Sequence, residues 1–139
     1  MIHEIQLQTK KHDEMIDITA QVQNFVTTQN IRDGLAVVYC PHTTAGITIN
    51  ENADPDVKKD FLRRLDEIYP QETPKDRHSE GNSAAHLKAS TVGPSQTVII
   101  NNGKLLLGRW QGIYFCEFDG PRERSCYVKF LHHDMVVRT

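Results

Sequence analysis

"QTVIINNGKLLLGRWQGIYFCEFDGPRERSCYVKFLHH", residues 96–133, contains the pattern that decides the fold class. Apolar runs rich in β-branched and aromatic residues are separated here by the turn sequences NNG and DGPR. Runs of this kind, bounded by Gly, Pro, Asn and Asp, are typical of strands joined by short turns. We therefore predict that the last third of the chain forms strands at 96–101, 104–110, 112–119 and 124–137.

Further strands are predicted upstream of this region. Residues 2–9 alternate apolar and polar side chains imperfectly, which favours an edge strand. Residues 34–40, GLAVVYC, form an unbroken apolar run, which is typical of a strand covered on both faces. Residues 44–51 alternate again, so we expect a half-buried strand there.

The clearest helix signal lies in ADPDVKKDFLRRLDEIYP, residues 53–70. Asp54 is a good N-cap, and Pro55 suits the first helical position because a backbone N–H would be unpaired there anyway. The apolar stripe that predicts the buried face of this helix consists of Val57, Phe61, Leu65 and Ile68.

Two shorter segments complete the predicted helices. Residues 17–30 repeat apolar side chains at helical spacing, with Asp17 or Thr19 as the N-cap, and residues 83–90 suit a short helix after a polar loop. Two or three helices and six or seven strands that do not alternate regularly indicate an α+β fold with a mainly antiparallel sheet. A chain of 139 residues is predicted to form a single domain over 1–139.

Charge and composition exclude several classes of partner. The formal net charge is −2, so no overall basic field favours nucleic acid or an anionic membrane. No apolar stretch approaches the roughly 20 residues that span a bilayer, and the first residues lack a signal-peptide run, so we expect a cytoplasmic protein. The cysteines Cys40, Cys116 and Cys126 each lie in an apolar run, which indicates buried thiols rather than ligands or a nucleophile.

The loop and helix start in RHSEGNSAAHLKAS, residues 77–90, form the first candidate site. His78 and Glu80 lie in the loop, and His86 lies about one turn inside the predicted helix. Imidazole and carboxylate are the usual ligands of zinc and similar ions, while a helix N-terminus favours phosphate. The spacing matches no standard zinc motif, and solvated loop histidines are the alternative interpretation.

A second candidate is PHTTAGITINEN, residues 41–52. His42 follows a predicted strand, and the Thr43 and Thr44 hydroxyls stand beside small residues that let a ligand approach the backbone closely. This stretch is either a binding loop or a strand connection whose side chains satisfy local backbone groups.

The third candidate lies in GRWQGIYFCEFDGPR, residues 108–122. Strand alternation puts Glu117 and Asp119 on one face, where two carboxylates are costly unless a cation, an arginine or solvent meets them. A strand end running into water is the alternative. Arg109 could pair with an anion and Trp110 could stack on a planar ring, although a core position is more common for tryptophan.

Taken together, YCPHTTAGITINENADPDV, DRHSEGNSAAHLKASTVG and LLLGRWQGIYFCEFDGPRER resemble the YjbQ-like family, commonly named secondary thiamine-phosphate synthases, over about residues 3–137. The resemblance implies an α+β domain that assembles as a homotrimer, with a polar cleft near the subunit contacts. The motif positions that it carries over are His42, Thr43, Thr44, Glu51, Asn52, Asp54, His78, Glu80, Asn82, His86, Arg109, Gln111, Glu117, Asp119 and Arg122.

The leading function implied by this resemblance is a metal-assisted transferase that joins hydroxymethylpyrimidine pyrophosphate to thiazole phosphate and releases pyrophosphate. His42, Glu117 and Asp119 are the expected catalytic residues, and His42, His78 and His86 the expected ligands of zinc or magnesium. The expected substrate and phosphate contacts are Thr43, Thr44, Asn52, Asn82, Arg109, Trp110, Gln111 and Arg122. A hydrolase of a phosphorylated metabolite and a trimeric metal- or anion-binding module without turnover are the alternatives.

Overall fold

Two antiparallel sheets and three helices make up residues 1–132, the part of the chain that the structure, a computed structural model, describes. In chain order the elements are β1 Ile2–Gln8, β2 Glu14–Asp17, α1 Thr19–Thr28, β3 Gly34–Tyr39, β4 Ala45–Glu51, α2 Pro55–Ile68, α3 Ser83–Val92, β5 Ser95–Asn101, β6 Lys104–Leu105, β7 Gln111–Glu117 and β8 Glu123–His132. This arrangement confirms the predicted α+β fold.

The strands form one larger and one smaller sheet. The first sheet has the order β1-β8-β3-β5-β6 and the second the order β2-β7-β4, with antiparallel pairing throughout. Their facing apolar side chains, such as Val38, Ile47 and Phe115, are fully buried in one core. β7 is the central strand of the smaller sheet and is buried from Gly112 to Glu117.

Six or seven strands were predicted, and residues 1–132 form eight. β1 is an edge strand as predicted, but the prediction that residues 34–40 are covered on both faces was wrong, because Leu35 and Tyr39 are 38% and 46% exposed. The predicted strand 104–110 is reduced to β6, and β2 was not predicted. β8 is described as far as His132, and the rest of the predicted strand, with His133, lies outside the described residues.

The helix predictions were mostly confirmed. Asp54 caps α2, because its carboxylate accepts from the Asp56 N–H at 2.9 Å, and Pro55 occupies the first position. Ile68 is 67% exposed, so the apolar stripe of α2 ends at Leu65, and the prediction that Ile68 belongs to the buried face was wrong. No helix within residues 1–132 combines the length and apolar character that crossing a membrane requires.

The start of α1 differs by one residue from the prediction. Ile18, which has no polar side chain, occupies the N-cap position, and the carboxylate of Asp17 accepts from the Thr19 N–H at 2.9 Å instead.

All three cysteines are buried free thiols, as the sequence predicted. Burial raises the pKa of Cys40 to about 11 and that of Cys126 to about 12. Burial also raises the pKa of Cys116, the most enclosed of them. Thiols held protonated in this way are unreactive at neutral pH.

Candidate functional site

Glu117, at the end of β7, lies in a buried ion pair. Its carboxylate accepts from Arg124 Nε at 2.9 Å, from the Thr9 hydroxyl at 2.8 Å and from the Asp119 N–H at 3.0 Å. Burial alone would raise the pKa of Glu117, but the hydrogen bonds from Arg124, Asp119 and Thr9 outweigh it and hold that pKa below its ordinary value. Glu117 is therefore ionised and enclosed, with an arginine as its partner, which is one of the three partners that the sequence analysis named. Its catalytic role stays a prediction.

Arg124, the partner of Glu117, was missed by the sequence analysis. Its side chain is 3% exposed, and Nη2 donates to the Thr44 hydroxyl at 2.7 Å as well as to Glu117. The expected phosphate contact Thr44 thus lies beneath the surface, as a support of this pair. The available signal was the sequence DGPRER, in which two arginines follow the turn after two carboxylates.

Two of the predicted site residues, Asn82 and Arg122, meet at the carboxylate of Asp119. Its Oδ2 accepts from Asn82 Nδ2 and from Arg122 Nη2, both at 2.9 Å. Its Oδ1 lies 3.7 Å from Nε2 of His12, a residue to which the sequence analysis gave no role. The start of α3, the end of β7 and the turn before β8 therefore meet at this side chain.

The N-terminus of α3 has no side-chain cap. Asn82 occupies the N-cap position, yet its amide is held by Asp119 and accepts no hydrogen bond from the helix. Its Oδ1 is buried and is without a partner among the residues that the structure describes. Uncapped N–H groups and the helix dipole at a helix start favour an anion.

The histidines beside this helix start form a pair rather than a metal centre. The rings of His78 and His86 are 5.2 Å apart and nearly perpendicular, and Nε2 of His78 lies 3.6 Å from the Glu80 carboxylate. Within residues 1–132, no three His, Cys, Asp or Glu side chains are arranged to hold a metal ion. The expected set of His42, His78 and His86 is therefore not assembled in a single chain.

His42 is held at a different place, beside β8. Its Nε2 lies 2.9 Å from the carbonyl oxygen of Ser125 and 3.1 Å from the nitrogen of the same residue, and its ring meets the edge of Phe115. Burial, with a smaller effect from the Arg124 charge, lowers the pKa of His42 below its ordinary value. The ring is neutral and fixed, and Thr43 beside it is exposed.

A second buried cation, Lys88, braces α3. Its side chain is 0% exposed, and Nζ contacts Asp13 at 2.8 Å and Asp66 on α2 at 2.7 Å. Burial would lower the pKa of Lys88, but the hydrogen bonds to Asp13 and Asp66 outweigh it and raise that pKa above its ordinary value. Lys88 shares the buried face of α3 with Ala85 and Ala89, so helical periodicity could have identified it.

The remaining predicted contacts lie at the opposite end of β7. Asn52 donates from its backbone N–H to the Trp110 carbonyl at 2.9 Å, and the Gln111 side chain accepts from Gly108. Arg109 stacks on Trp110, which is 53% exposed, so the core alternative for this tryptophan was wrong. This end is about 20 Å from Glu117 along a strand of seven residues, so one chain does not bring the two sets together.

The fold and these contacts define the class of protein. It is a small α+β domain in which the uncapped start of α3 lies next to the half-buried carboxylate of Asp119. The chain belongs to the family described as UPF0047 protein YjbQ-like, whose model matches residues 3–133. It is similar to the UPF0047 protein YugU of Bacillus subtilis, with 66% identity over 94% of this chain and 99% of the relative. It is also similar to UPF0047 protein MJ1081 of Methanocaldococcus jannaschii, at 53% identity over 94% of each chain.

Solved structures agree with this membership. The crystal structure of a YjbQ/UPF0047 family protein from Clostridium acetobutylicum matches with a TM-score of 0.91 and 57% identity, over 93% of this chain and 99% of that one. A YbjQ-like protein of Sulfolobus solfataricus matches with a TM-score of 0.91 at 32% identity, over 96% and 97% of the two chains. The fold is therefore shared by relatives whose sequences have diverged widely.

Proposed function

We propose that this protein is a transferase that joins two small phosphorylated molecules and releases pyrophosphate. The proposed reaction is thiamine-phosphate synthesis from hydroxymethylpyrimidine pyrophosphate and thiazole phosphate. The observation that supports the proposal best is the uncapped start of α3, where Asn82 is held by Asp119 instead of capping the helix. An uncapped helix N-terminus suits a pyrophosphate leaving group.

Fixed side chains around this start supply the remaining charge. Arg122, with its side chain 48% exposed, is anchored on Asp119 and can turn its unused N–H groups to phosphate oxygens. His86, in the first turn of α3, can donate to the same group. Groups preorganised in this way stabilise the charge that develops on pyrophosphate as the carbon–oxygen bond breaks.

The proposal includes a divalent ion. Magnesium commonly binds through substrate phosphates with few protein ligands, so an ion that enters with pyrophosphate fits a site without a preassembled donor group. Zinc would use the ligands that the family resemblance implies, His42, His78 and His86, whose imidazole groups are of the right type although one chain does not gather them. The ion would supply neutralisation of the leaving group.

The test compares His86→Ala with Lys58→Ala, since each residue is the fourth of its helix, in α3 and α2 respectively. Pyrophosphate and orthophosphate release are measured with both substrates, with magnesium, zinc or chelator present. We expect wild type to release pyrophosphate, His86→Ala to lose about a hundredfold in rate, and Lys58→Ala to match wild type. Orthophosphate release would favour a hydrolase instead, and binding without product would favour a non-catalytic module.

The proposed assembly is a homotrimer formed through the outer face of the larger sheet. Leu35, Ile99 and Leu131 pair across β3, β5 and β8 and are 38%, 53% and 53% exposed, which makes an apolar row without cover from residues 1–132. In sedimentation, wild type is expected to have the mass of a trimer and Leu131→Glu that of a monomer. A monomeric wild type would contradict this assembly.

The proposed location is the cytoplasm, and the proposed partners are small phosphorylated metabolites rather than nucleic acid or membrane. Three free thiols without a disulfide are typical of a reducing compartment. The net charge of −2 gives no attraction toward polyanions.

A further inference from the structure

His12, in the loop between β1 and β2, lies between two carboxylates. Its Nδ1 is hydrogen-bonded to the carboxylate of Asp13, and its Nε2 lies 3.7 Å from Oδ1 of Asp119. The other oxygen of Asp119, Oδ2, accepts from Asn82 and Arg122. The proposed transfer chemistry gives His12 no role, although this ring faces the carboxylate that organises the site.

Main-chain hydrogen bonds hold the loop of His12 against the segment that carries Asp119. The Gly120 N–H donates to the His12 carbonyl at 3.0 Å, and the Thr9 N–H donates to the Arg122 carbonyl at 3.0 Å. The place of His12 beside Asp119 is therefore set by the backbone as well as by the side chains.

Asp13, which orients the ring of His12, is itself fixed by a buried cation. Its Oδ2 lies 2.8 Å from Nζ of Lys88, whose side chain is 0% exposed on α3. Five side chains form a series of contacts that begins and ends at α3, namely Lys88, Asp13, His12, Asp119 and Asn82. Since one helix carries both ends, His12 and Asp119 are held at a defined position relative to the start of α3.

The proton on Nδ1 decides what Nε2 of His12 can do. A carboxylate only accepts, so the hydrogen bond to Asp13 places a proton on Nδ1. The charges that face the ring are the carboxylates of Asp13 and Asp119, with the Arg122 guanidinium on the far oxygen of Asp119. Nε2 attracts Asp119 when the ring carries a second proton, and it presents a lone pair to that carboxylate when the ring is neutral.

We propose that His12 is a positioning residue that acts through Asp119. It holds Oδ1, so that Oδ2 stays on Asn82 and Arg122 and the Asn82 side chain stays off the start of α3. The effect of His12 on pyrophosphate rests on the proposed function, whereas its effect on Asn82 can be measured without that function.

The first experiment follows the side-chain amide of Asn82 by NMR in the full-length protein. Its protons exchange more slowly with water while Asp119 holds them, so His12→Ala is expected to raise their exchange rate about threefold, as for one partly exposed charge pair. Lys11→Ala, which removes an exposed cation of the same loop, is the matched control and should leave the rate unchanged. An unchanged rate in His12→Ala would overturn the proposal.

A pH series and a rescue variant test whether the charge of His12 is what matters. The ¹⁵N shifts of the His12 ring report its protonation, and the difference in Asn82 exchange between wild type and His12→Ala should vanish as the ring loses its second proton. His12→Arg keeps a cation throughout the series and should protect Asn82 at every pH. A difference that persists with the neutral ring would overturn positioning through charge.

Pyrophosphate binding, measured by calorimetry, shows whether His12 acts through Asp119. His12→Ala is expected to weaken binding about threefold in wild type and to have no further effect in the Asp119→Ala background. Additive losses would show that His12 contacts pyrophosphate itself, which would overturn the positioning role. If wild type binds no pyrophosphate while Asn82 responds as expected, the proposed function fails and the positioning role stands.

Discussion

Glu117 and Asp119 are separated by one residue at the end of β7, yet their carboxylates have different surroundings. Glu117 is fully buried and is enclosed by Arg124 and Thr9, whereas Asp119 is half buried and holds Asn82 and Arg122 at the surface. Each carboxylate has an arginine partner. The Arg122 side chain is 48% exposed and that of Arg124 is 3% exposed, so the comparison separates a buried pair that supports the fold from a pair at the proposed site.

The largest expected effect comes from breaking the enclosed pair. Glu117→Gln leaves the buried Arg124 guanidinium without its counter-charge, so we expect the free energy of unfolding to fall by about 3–5 kcal/mol in urea denaturation. Glu123→Gln, at an exposed residue of the same turn region, is the control and should change it by less than about 0.5 kcal/mol. A loss as small as the control's would show that the enclosed pair does not support the fold.

Asp119→Ala tests whether the half-buried carboxylate keeps Asn82 from capping α3 and anchors Arg122. Without Asp119, Asn82 is free to cap α3 and Arg122 loses its anchor, so pyrophosphate binding should weaken about tenfold by calorimetry, which corresponds to about 1.4 kcal/mol. The double variant Asp119→Ala, Asn82→Ala removes the competing cap and should recover at least part of this affinity. If the double variant binds no better than the single one, capping by Asn82 is not what closes the site.

Thr9 connects the two carboxylates, so Thr9→Val tests whether they act separately. Its hydroxyl donates to Glu117 and accepts from the Arg122 N–H at 2.9 Å. We expect the free energy of unfolding to fall by about 1 kcal/mol, as for one buried hydrogen bond, with pyrophosphate affinity unchanged. A parallel loss of affinity would show that the enclosed pair also positions Arg122.

The smallest effect is a dependence of stability on pH. The pKa of Glu117 is lower in the folded protein than its ordinary value, so its contribution is present above that ordinary value and is lost as pH falls through the folded pKa. Urea denaturation from pH 6 downward should show this loss in wild type. The free energy of unfolding of Glu117→Gln should fall less steeply as pH is lowered. An identical slope in wild type and variant would contradict the assignment of this pH dependence to Glu117.

The sequence predicted the fold better than it predicted the site. Periodicity and the DGPR turn were sufficient for β7, and Asp54 with Pro55 were sufficient for the start of α2, because these signals act within a few neighbouring residues. β2 was missed because EMID is short and polar at both ends. Residues 106–110 lie outside the sheet although they are partly apolar, and Leu106 is 57% exposed.

Within the site, strand alternation predicted Glu117 and Asp119 on one face, but β7 ends at Glu117, and alternation could not tell which carboxylate would be enclosed. That depends on Arg124, which approaches from β8 in the other sheet, so the pair is a tertiary contact. The same limit applies to Asn82, whose composition and position predict a cap, while its partner Asp119 lies 37 residues away. Patterns among neighbouring residues do not show whether the Asn82 side chain binds a helix N–H or a distant carboxylate.

The buried thiols of Cys40, Cys116 and Cys126 can report how fast the structure around each of them opens. Each sulfur is enclosed and held protonated, so a thiol reagent can attack only when the surrounding structure opens. The three sulfurs lie on β7, on β8 and just after β3, so their separate labelling rates would time the opening of different parts of the two sheets without any added probe.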